Sequence, residues 1–255
     1  MDGVVATERP KVVCTIEARM ASSRLPGKVL LPILGKPMLE LLVERVHKVD
    51  GMDEVVIATS LDPACDAIEA LADRLGVRCF RGSEEDVLQR VIDAVESVNG
   101  DVAVRATADN PLIDPAIISH VLAFFLGVRP DYCSTFLDHR TLPWGMDVEI
   151  VSQAAMAGLP AQSTEGRHHE HPSLYILENR TAFDCRHVTV TDARPSELAR
   201  LTVDTPDDYR LVSRIFEELY PSDGAFTLGD IEGLIARRPA LLDINRHVEQ
   251  RQPVR

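Results

Sequence analysis

The sequence lacks the features that mark membrane-spanning and secreted proteins. No apolar run approaches the roughly 20 residues that a helix needs to cross a bilayer, and the first residues show no signal-peptide pattern. Residues 1–10 are expected to be a frayed leader outside the fold. The sequence therefore predicts a cytoplasmic protein with no membrane partner.

Cysteine is scarce, and its spacing excludes the usual cysteine-based frameworks. The cysteines are odd in number and widely spaced, and no two of them form a C-x-x-C pair. Most of them stand in apolar or strand-like runs, where buried thiols are common. We therefore expect a reduced protein with no structural disulfide and no zinc cluster.

Positive charge is also in short supply. The 255 residues include 27 Lys and Arg against 40 Asp and Glu, which gives a formal net charge of −13. Most faces of such a protein would repel a phosphate backbone, so no nucleic-acid partner is expected. The chain is long enough for a sizeable core, and no repeat, low-complexity segment or linker divides it. The sequence predicts a single domain over residues 1–255.

What the sequence does have is a regular alternation of strand and helix signals up to about residue 127. Four β-branched runs are each followed by a stretch with helical spacing of apolar residues. The runs are residues 11–16, 54–60, 77–82 and 101–108. Helix starts are predicted at Ser83 and at Asp114–Pro115, and a helix end at Gly76. This order predicts an α/β fold with a mostly parallel sheet that is covered on both faces.

Beyond residue 128 the pattern is looser. Short strands are predicted at 131–136, 147–152 and 183–192, within a mixed α+β insertion at about 130–195. A strand, a turn and a helix follow over 199–220, where Thr205 and Pro206 give a cap and a first helical position. A last helix is predicted over 227–239.

Four cations, Arg19, Arg24, Lys28 and Lys36, stand in one early Ser/Gly/Pro-rich stretch, "EARMASSRLPGKVLLPILGKPMLELL", from Glu17 to Leu42. Its cationic loop follows the first predicted strand, at the carboxyl end where ligands bind in open parallel sheets. The loop is neither G-x-G-x-x-G nor G-x-x-x-x-G-K-[ST], which disfavours a dinucleotide oxidoreductase and an ordinary P-loop. Backbone amides, hydroxyls and cations together suit a triphosphate. A solvated surface loop is the alternative.

Four stretches in order resemble one known family. They are "ARMASSRLPGKVLLPILGKPMLELLVERV", "GSEEDVLQRV", "ATADNPLIDP" and "LTVDTPDDYRLV", and they lie between about residues 12 and 215. The family is that of the sugar-acid cytidylyltransferases, which activate 3-deoxy-manno-octulosonate and acylneuraminate. Within it, the sequence is most similar to the SpsF-like branch of spore-coat polysaccharide synthesis.

The resemblance implies a fold and a reaction. The fold is the Rossmann-like three-layer α/β fold of the nucleotide-diphospho-sugar transferases, with a mixed α+β insertion. The reaction moves CMP from CTP to a sugar acid or a related small acceptor and releases pyrophosphate, in the synthesis of surface polysaccharide or glycoconjugate precursors. The family often dimerises through the insertion, so a homodimer is expected.

The resemblance also implies roles for individual residues. Arg19, Ser22, Arg24 and Lys28 would hold the triphosphate, and Lys28 would stabilise charge on the leaving pyrophosphate. The full nucleotide-binding set is Ala18, Arg19, Met20, Ala21, Ser22, Ser23, Arg24, Lys28, Arg81, Ser83 and Asp109.

Two acids at predicted strand ends complete the implied catalytic set. Asp109 in "ATADNP" and Asp204 in "LTVDTP" would bind Mg²⁺ at the α-phosphate, which makes Arg19, Lys28, Asp109 and Asp204 the catalytic candidates. Magnesium prefers one or two carboxylates together with phosphate oxygens and waters, in agreement with such a pair. The alternatives are a turn residue before Pro111 for Asp109 and a helix-cap neighbour for Asp204.

Base and acceptor contacts are less specific. Arg81 and Ser83 could hydrogen-bond a pyrimidine edge, although Ser83 is also a candidate helix cap. Asp147 and Glu149, two apart, are candidates for contacts with acceptor hydroxyls; a metal role for Asp147 and a solvated strand end are the alternatives.

The stretch "GRHHEHP" supplies two further acceptor candidates. Arg167 and His171 would contact a carboxylate or a phosphate of the acceptor. A zinc site at these histidines fits no common ligand spacing, and no cysteine adjoins them.

Two other functions stay open at this point. Guanylyl or other nucleotidyl transfer to a phosphorylated acceptor is possible within the same fold, because the base pocket is not legible from the sequence. A non-catalytic nucleotide-binding module would keep the cationic loop but would not need the two acids. The sequence gives no general base and does not identify the acceptor.

Overall fold

The computed structural model describes residues 9–163, 165–190 and 199–250. Its strands are β1 Val12–Glu17, β2 Pro32–Ile33, β3 Lys36–Pro37, β4 Glu54–Ser60, β5 Arg78–Gly82, β6 Val102–Thr107, β7 Tyr132–Ser134, β8 Glu149–Ser152 and β9 Cys185–His187. Seven of these strands form one sheet in the order β5-β4-β1-β6-β8-β7-β9, and β2 pairs with β3 in a small separate hairpin.

The helices lie between and after these strands. They are α1 Met38–Val46, α2 Asp66–Leu75, α3 Val87–Glu96, α4 Pro115–Val128, α5 Gln153–Ala157, α6 Leu159–Gln162, α7 Gly166–Glu170, α8 Leu174–Glu178, α9 Pro206–Leu219 and α10 Leu228–Arg237. Short 3₁₀ turns cover Lys28–Leu30, Pro63–Cys65, Arg180–Ala182 and Pro239–Asp243. Within the described residues, no helix is both long enough and apolar enough to cross a membrane.

The predicted alternation of strands and helices is confirmed from β1 to α4. The strands β5, β4, β1 and β6 run parallel, as crossovers through intervening helices require. The strands from the looser part of the sequence extend the same sheet: β8 is antiparallel to β6 and β7, and β9 is parallel to β7. The fold is therefore α/β with a mostly parallel sheet, as predicted.

Alternating side chains of the central strand show that both faces of the sheet are covered. Cys14 and Ile16 pack into the larger apolar cluster, which is built from α1, α2, α4, α9 and α10. Val13 points the other way and packs with Ala94 and Val98, in and just after α3. Apolar burial of this kind contributes about 25 cal/mol for each Å² removed from water, so the two clusters hold the layers together.

The start of α3 differs from the prediction. The helix is capped by Asp86, whose carboxylate accepts a hydrogen bond from the backbone N–H of Gln89 at 2.9 Å. The hydroxyl of Ser83 instead accepts from the backbone N–H of Asp86 at 3.0 Å, in the turn before the helix. Asp86 and Ser83 are both good capping residues, and the turn between them decides which one caps.

The strand predicted near residues 199–204 does not form. Arg200 makes only an isolated parallel bridge with Trp144. The segment is nevertheless fixed, because the N–H of Leu201 donates to the carbonyl of Trp144 and the N–H of Val203 donates to the carbonyl of Asp109, both at 2.8 Å. Asp204 is therefore held beside the end of β6 without belonging to the sheet.

The predicted cap of α9 is confirmed. Thr205 and Asp208 form a reciprocal capping box, and Pro206 occupies the first position. Residues 1–8 of the expected leader, and residues 191 and 192 of the strand predicted at 183–192, lie outside the described residues.

Candidate active site

The cationic loop leaves the carboxyl end of β1 and folds back on itself. The backbone N–H of Gly27 donates to the carbonyl of Met20 at 3.0 Å, which closes the loop. Gly27 has a φ of 69°, a left-handed conformation that glycine adopts without steric cost. The chain then enters the 3₁₀ turn Lys28–Leu30, which places Lys28 back against the sheet edge.

A cavity of about 350 Å³ opens at this edge, where β1 and β6 end. Most of the predicted nucleotide-binding residues line it, namely Ala18, Arg19, Ala21, Ser22, Ser23, Arg24, Lys28 and Asp109. Its other lining residues are Glu17, Val29, Val87, Arg90, Thr107, Ala108, Glu170, His171 and Asp204. The structure thus brings all four catalytic candidates to one cavity at the carboxyl ends of parallel strands.

Lys28 joins the two predicted metal-binding acids. Its Nζ lies 2.9 Å from Oδ2 of Asp109, 2.9 Å from Oδ1 of Asp204 and 2.8 Å from the carbonyl oxygen of Val203. The whole residue is only 9% exposed. A buried ammonium is stable only with such partners, so the two carboxylates and the carbonyl fix its position.

Asp204 is surrounded by cations. Besides Lys28, Arg24 lies 3.0 Å from Oδ2, and Arg200 donates to the same oxygen. Burial alone would raise the pKa of Asp204, but Lys28, Arg200 and Arg24 outweigh this effect and hold the pKa below its usual value. Asp204 is therefore ionised at neutral pH, and both of its oxygens contact cationic side chains.

Arg200 is in turn held by the C-terminal part of the chain. Its Nε donates to Asp208 at 3.0 Å. The side chain of Asn245 donates to the carbonyl of Arg200 and to Oδ1 of Asp208, both at 2.9 Å, and Gln250 accepts from Arg200. The segment around residues 245–250 thus contacts the support of Asp204.

Asp109 is oriented from its own strand end. The hydroxyl of Thr107 donates to Oδ1 of Asp109 at 2.6 Å, and Asn110 donates to that hydroxyl at 2.8 Å. Oδ2 is thereby left for Lys28.

The two carboxylates fit a divalent cation by their chemistry. Both carboxylates contact a single cationic atom, the Nζ of Lys28. The space between the two carboxylates therefore favours positive charge. Magnesium bound with phosphate takes one or two carboxylates and completes its octahedron with phosphate oxygens and waters. Among the described residues no group of three or more His, Cys, Asp or Glu forms an all-protein metal cage.

Three predicted nucleotide-binding residues do not line the cavity. Arg81 forms ion pairs with Asp66 and Glu69 of α2 at 2.6 and 2.8 Å. Ser83 lies in the turn before α3, and Met20 packs against the apolar core. A base contact for Arg81 and Ser83 therefore stays a prediction without geometric support.

The acceptor candidates are divided among different places. His171 lines the main cavity. Arg167 lies outside it, paired with Glu165 and Glu178 at 2.6 and 2.5 Å.

Asp147 and Glu149 line a second cavity of about 150 Å³ that shares Thr107 with the first. Burial raises the pKa of Asp147, an effect that its ion pair with Arg140 only partly offsets. Glu149 accepts from Arg105 and, at 2.7 Å, from the hydroxyl of Tyr132.

Several residues of the site were not predicted from the sequence. Glu17, Arg90, Thr107 and Glu170 line the main cavity, and Arg200 supports Asp204. Glu17 and Thr107 are the last residues of β1 and β6, a position that could have marked them. Arg90 lies inside an amphipathic helix, within the motif "GSEEDVLQRV" that carries the resemblance, and its place in that motif is the signal that could have marked it.

The parallel sheet, the cationic loop at its edge and the two convergent carboxylates define a nucleotidyltransferase. The family model described as "Cytidylyltransferase" matches residues 13–228 of the chain. The chain belongs to the cytidylyltransferase family.

Relatives of similar length support this assignment. The chain is 32% identical to an uncharacterized protein of Methanocaldococcus jannaschii over 243 residues, 94% of this chain and 97% of the relative. It is also 32% identical to the spore coat polysaccharide biosynthesis protein SpsF of Bacillus subtilis, over 81% of this chain and 87% of the relative.

Solved structures show the same architecture. A cytidylyltransferase from Leptospira borgpetersenii superimposes with a TM-score of 0.86 at 31% identity, over 95% of this chain and 99% of the other. A CMP:2-keto-3-deoxy-manno-octonic acid synthetase solved with CTP has a TM-score of 0.63 at 20% identity, over 82% of this chain and 99% of the other. The latter likeness shows the fold alone.

Proposed function

We propose that the protein transfers CMP from CTP to a hydroxyl of a sugar acid or a related small acceptor, in the synthesis of surface polysaccharide or glycoconjugate precursors. The observation that carries this proposal is the meeting of Lys28, Asp109 and Asp204 in one cavity beside the cationic loop. Family membership supports CTP as the nucleotide, and the polysaccharide and sugar-acid names of relatives support the acceptor class.

In the proposed reaction, an acceptor oxygen attacks the α-phosphorus of CTP in line. The bond between the acceptor oxygen and the α-phosphorus forms, the hydroxyl proton passes to solvent, the bond between the α-phosphorus and the bridging oxygen of the β-phosphate breaks, and pyrophosphate leaves. The chain contributes mainly position and charge, as in other phosphoryl transfers. Arg19, Arg24 and Lys28, with the serines and amides of the loop, bind and neutralise the triphosphate.

Asp109 and Asp204 would hold Mg²⁺ in this proposal. The ion, when bound, neutralises charge that develops on the phosphate oxygens. Thr107 orients Asp109, and Arg200 orients Asp204, so both acids have a fixed direction before any ligand arrives. A homodimer, a cytoplasmic location and an acceptor contact by His171 remain predictions alongside it.

The test is pyrophosphate release with each of the four NTPs, Mg²⁺ and a panel of sugar acids and phosphosugars. Release with CTP and a sugar acid, abolished in Asp109→Asn, is the expected result. Release that depends on GTP and a phosphosugar would favour guanylyl transfer instead. If every pairing gives only background release, the proposal is wrong, and NTP binding without release would favour a non-catalytic nucleotide-binding module.

A further inference from the structure

We propose that Glu17 and Arg90 recognise the base of the bound nucleotide, and that the base they fit is cytosine. The inference rests on the proposed function, because it concerns another part of the same cavity. Both side chains line that cavity, and neither belongs to the phosphate-binding loop.

Arg90 is a buried cation that lacks an anionic partner. The residue is 2% exposed. Its Nη1 donates to the backbone carbonyl of Ser83 and weakly, at 3.5 Å, to that of Glu84, while its Nε is buried without a partner. Among the described residues, Arg19, Arg24 and Lys28 each pair with a carboxylate and Arg90 does not. A buried guanidinium in this state is stabilised by a ligand that accepts its hydrogen bonds.

The position of Arg90 is built into the fold. A Cβ atom at Gly82 would lie 2.9 Å from Cγ of Arg90 and 3.2 Å from its Cβ. The stem of Arg90 therefore packs directly on the backbone of the last residue of β5, where a side chain would displace it.

The carboxylate of Glu17 is a hydrogen-bond acceptor whose position is fixed by Arg105. Oε1 accepts two hydrogen bonds from Arg105, from Nε at 3.0 Å and from Nη2 at 2.6 Å. Arg105 is held from its other side by Glu149 and, at 2.6 Å, by the hydroxyl of Ser173. Oε2 of Glu17 has no partner among the described residues. A carboxylate fixed through one oxygen thus keeps the other for a ligand.

Glu17 and Arg90 take no part in the ion pairs of the phosphate site: Glu17 pairs with Arg105, and Arg90 makes no ion pair with the described residues. The carboxylates whose charges act most on Arg90 are those of Glu17 and Glu84, and the triphosphate candidate Arg19 adds a smaller opposing effect. Lys28, Asp109 and Asp204 form a separate group, joined by their own ion pairs. If the triphosphate occupies the Lys28 group, the base is left for Glu17 and Arg90.

The carboxylate of Glu17 and the guanidinium of Arg90 match the hydrogen-bonding edge of cytosine. Its exocyclic amine donates, while the neighbouring ring nitrogen N3 and the carbonyl O2 accept. A carboxylate only accepts and a guanidinium only donates, so Glu17 suits the amine and Arg90 suits N3 and O2. Uracil has a carbonyl oxygen in place of the amine and an N–H at N3, so it would present an acceptor to Glu17 and a donor to Arg90, and only its O2 would still accept from Arg90.

Arg90→Met separates a base contact from a phosphate contact. Methionine keeps an apolar stem over Gly82 and removes the donors. Calorimetric titration with CTP and with inorganic tripolyphosphate is the measurement. We expect the affinity for CTP to fall about tenfold or more and that for tripolyphosphate to stay unchanged. Equal losses would make Arg90 a phosphate ligand, and an unchanged affinity for CTP would exclude any contact; either result overturns the proposal.

Glu17→Gln tests Glu17 as the hydrogen-bond acceptor for the cytosine amine, with Glu149→Gln as the matched control. Both substitutions remove a carboxylate from Arg105, so both are expected to lower stability. The preference for CTP over UTP in binding should fall about tenfold in Glu17→Gln and should persist in Glu149→Gln.

Three results would contradict this assignment. They are a preference kept in Glu17→Gln, an equal loss in both variants, and stronger binding of GTP than CTP by the unaltered protein. If the unaltered protein binds none of the four NTPs, the proposed function fails and takes the inference with it. CTP binding that is unaffected by both Arg90→Met and Glu17→Gln overturns only the inference.

Discussion

The Nζ atom of Lys28 lies 2.9 Å from Oδ1 of Asp204, across 176 residues of sequence. The same atom contacts Asp109, so one ammonium ties the first loop, the end of β6 and the entry to α9 together. The contact is both a part of the candidate active site and a structural link. Its removal should therefore affect stability as well as binding.

Lys28→Met should lower the free energy of unfolding by about 3 kcal/mol at pH 7, because two partly buried carboxylates lose their shared cation. Urea unfolding measures the change. Lys36→Met is the control, since Lys36 pairs with Glu44 nearer the surface and should cost about 1 kcal/mol or less. Equal costs for the two variants would show that the Lys28 cluster is no stronger than a surface ion pair.

The stabilisation from Asp204 should depend on pH. Its pKa is held below the usual value in the folded protein, so this stability is present above the unfolded pKa of about 3.9 and is lost as pH falls through the folded value. The stability difference between the unaltered protein and Lys28→Met should shrink as pH falls below about 4. A difference that stays constant down to pH 2 would contradict the role of the ionised Asp204.

Asn245→Leu should weaken the support of Asp204 from the C-terminal segment. The substitution leaves the buried carboxylate of Asp208 without one of its donors, at a cost of about 2 kcal/mol in free energy of unfolding. Transfer should slow, with a decrease in kcat at a nearly unchanged KM for CTP, because Asn245 does not line the cavity. An unchanged kcat in a destabilised protein would limit Asn245 to a structural role.

Gly145→Ala should be costly for a local reason. Gly145 has a φ of 96°, and a Cβ there would lie 2.7 Å from the backbone nitrogen of Thr202. Thermal or urea unfolding should show a loss of about 2 kcal/mol. Gly127→Ala is the control: its added Cβ would meet no atom within 4 Å apart from its own helix backbone and chain neighbours, and alanine in a helix should stabilise by about 0.5–1 kcal/mol. A Gly145→Ala variant as stable as Gly127→Ala would contradict the close approach at Thr202.

His169 should lose its stabilising contacts as pH rises. Its Nδ1 lies 3.0 Å from Oδ2 of Asp86 and its Nε2 lies 3.2 Å from the carbonyl oxygen of Ser163, and these two contacts, Asp86 first, raise its pKa above 6.5. The stability it contributes is full below pH 6.5 and is lost as pH rises through the folded pKa. The titration of His169, followed by NMR, should have its midpoint above 6.5 and should shift down in Asp86→Asn, which still caps α3.

The NMR experiment has an internal comparison. The exposed His120 on α4 has no ion pair with described residues and should be unaffected by Asp86→Asn. If the His169 midpoint is the same in both proteins, Asp86 does not hold the ring, and the contact between α7 and α3 rests on packing alone.

The regular part of the fold could be predicted from the sequence because its signals are local. The β-branched runs and the capping residues at Asp114 and Thr205 act within a few residues of where they stand. The strand predicted at 199–204 failed because a strand needs a neighbour with a free edge. The sheet edge next to β6 is taken by β8, and the segment pairs with Trp144 at a single bridge.

The candidate site shows the same limit. The loop residues and the two acids could be found because they lie in order along recognisable motifs. Arg81 illustrates what could not be found: its guanidinium is held by Asp66 and Glu69 on the neighbouring α2, a pairing that depends on how α2 packs beside β5. Arg90 illustrates the converse: it stands in one of the quoted motifs, but its place in the cavity depends on how α3 packs beside the end of β5.

The most direct test of the account follows the phosphorus atoms of CTP. Two reactions with Mg²⁺ and the sugar-acid panel would use CTP labelled either at the α- or at the γ-phosphate. The account predicts that the α-label moves to the acceptor and that the γ-label leaves as pyrophosphate. With Asp109→Asn, both labels should stay in CTP. A γ-label on the acceptor would show a kinase, and labels that stay in CTP with every acceptor would contradict the transfer itself.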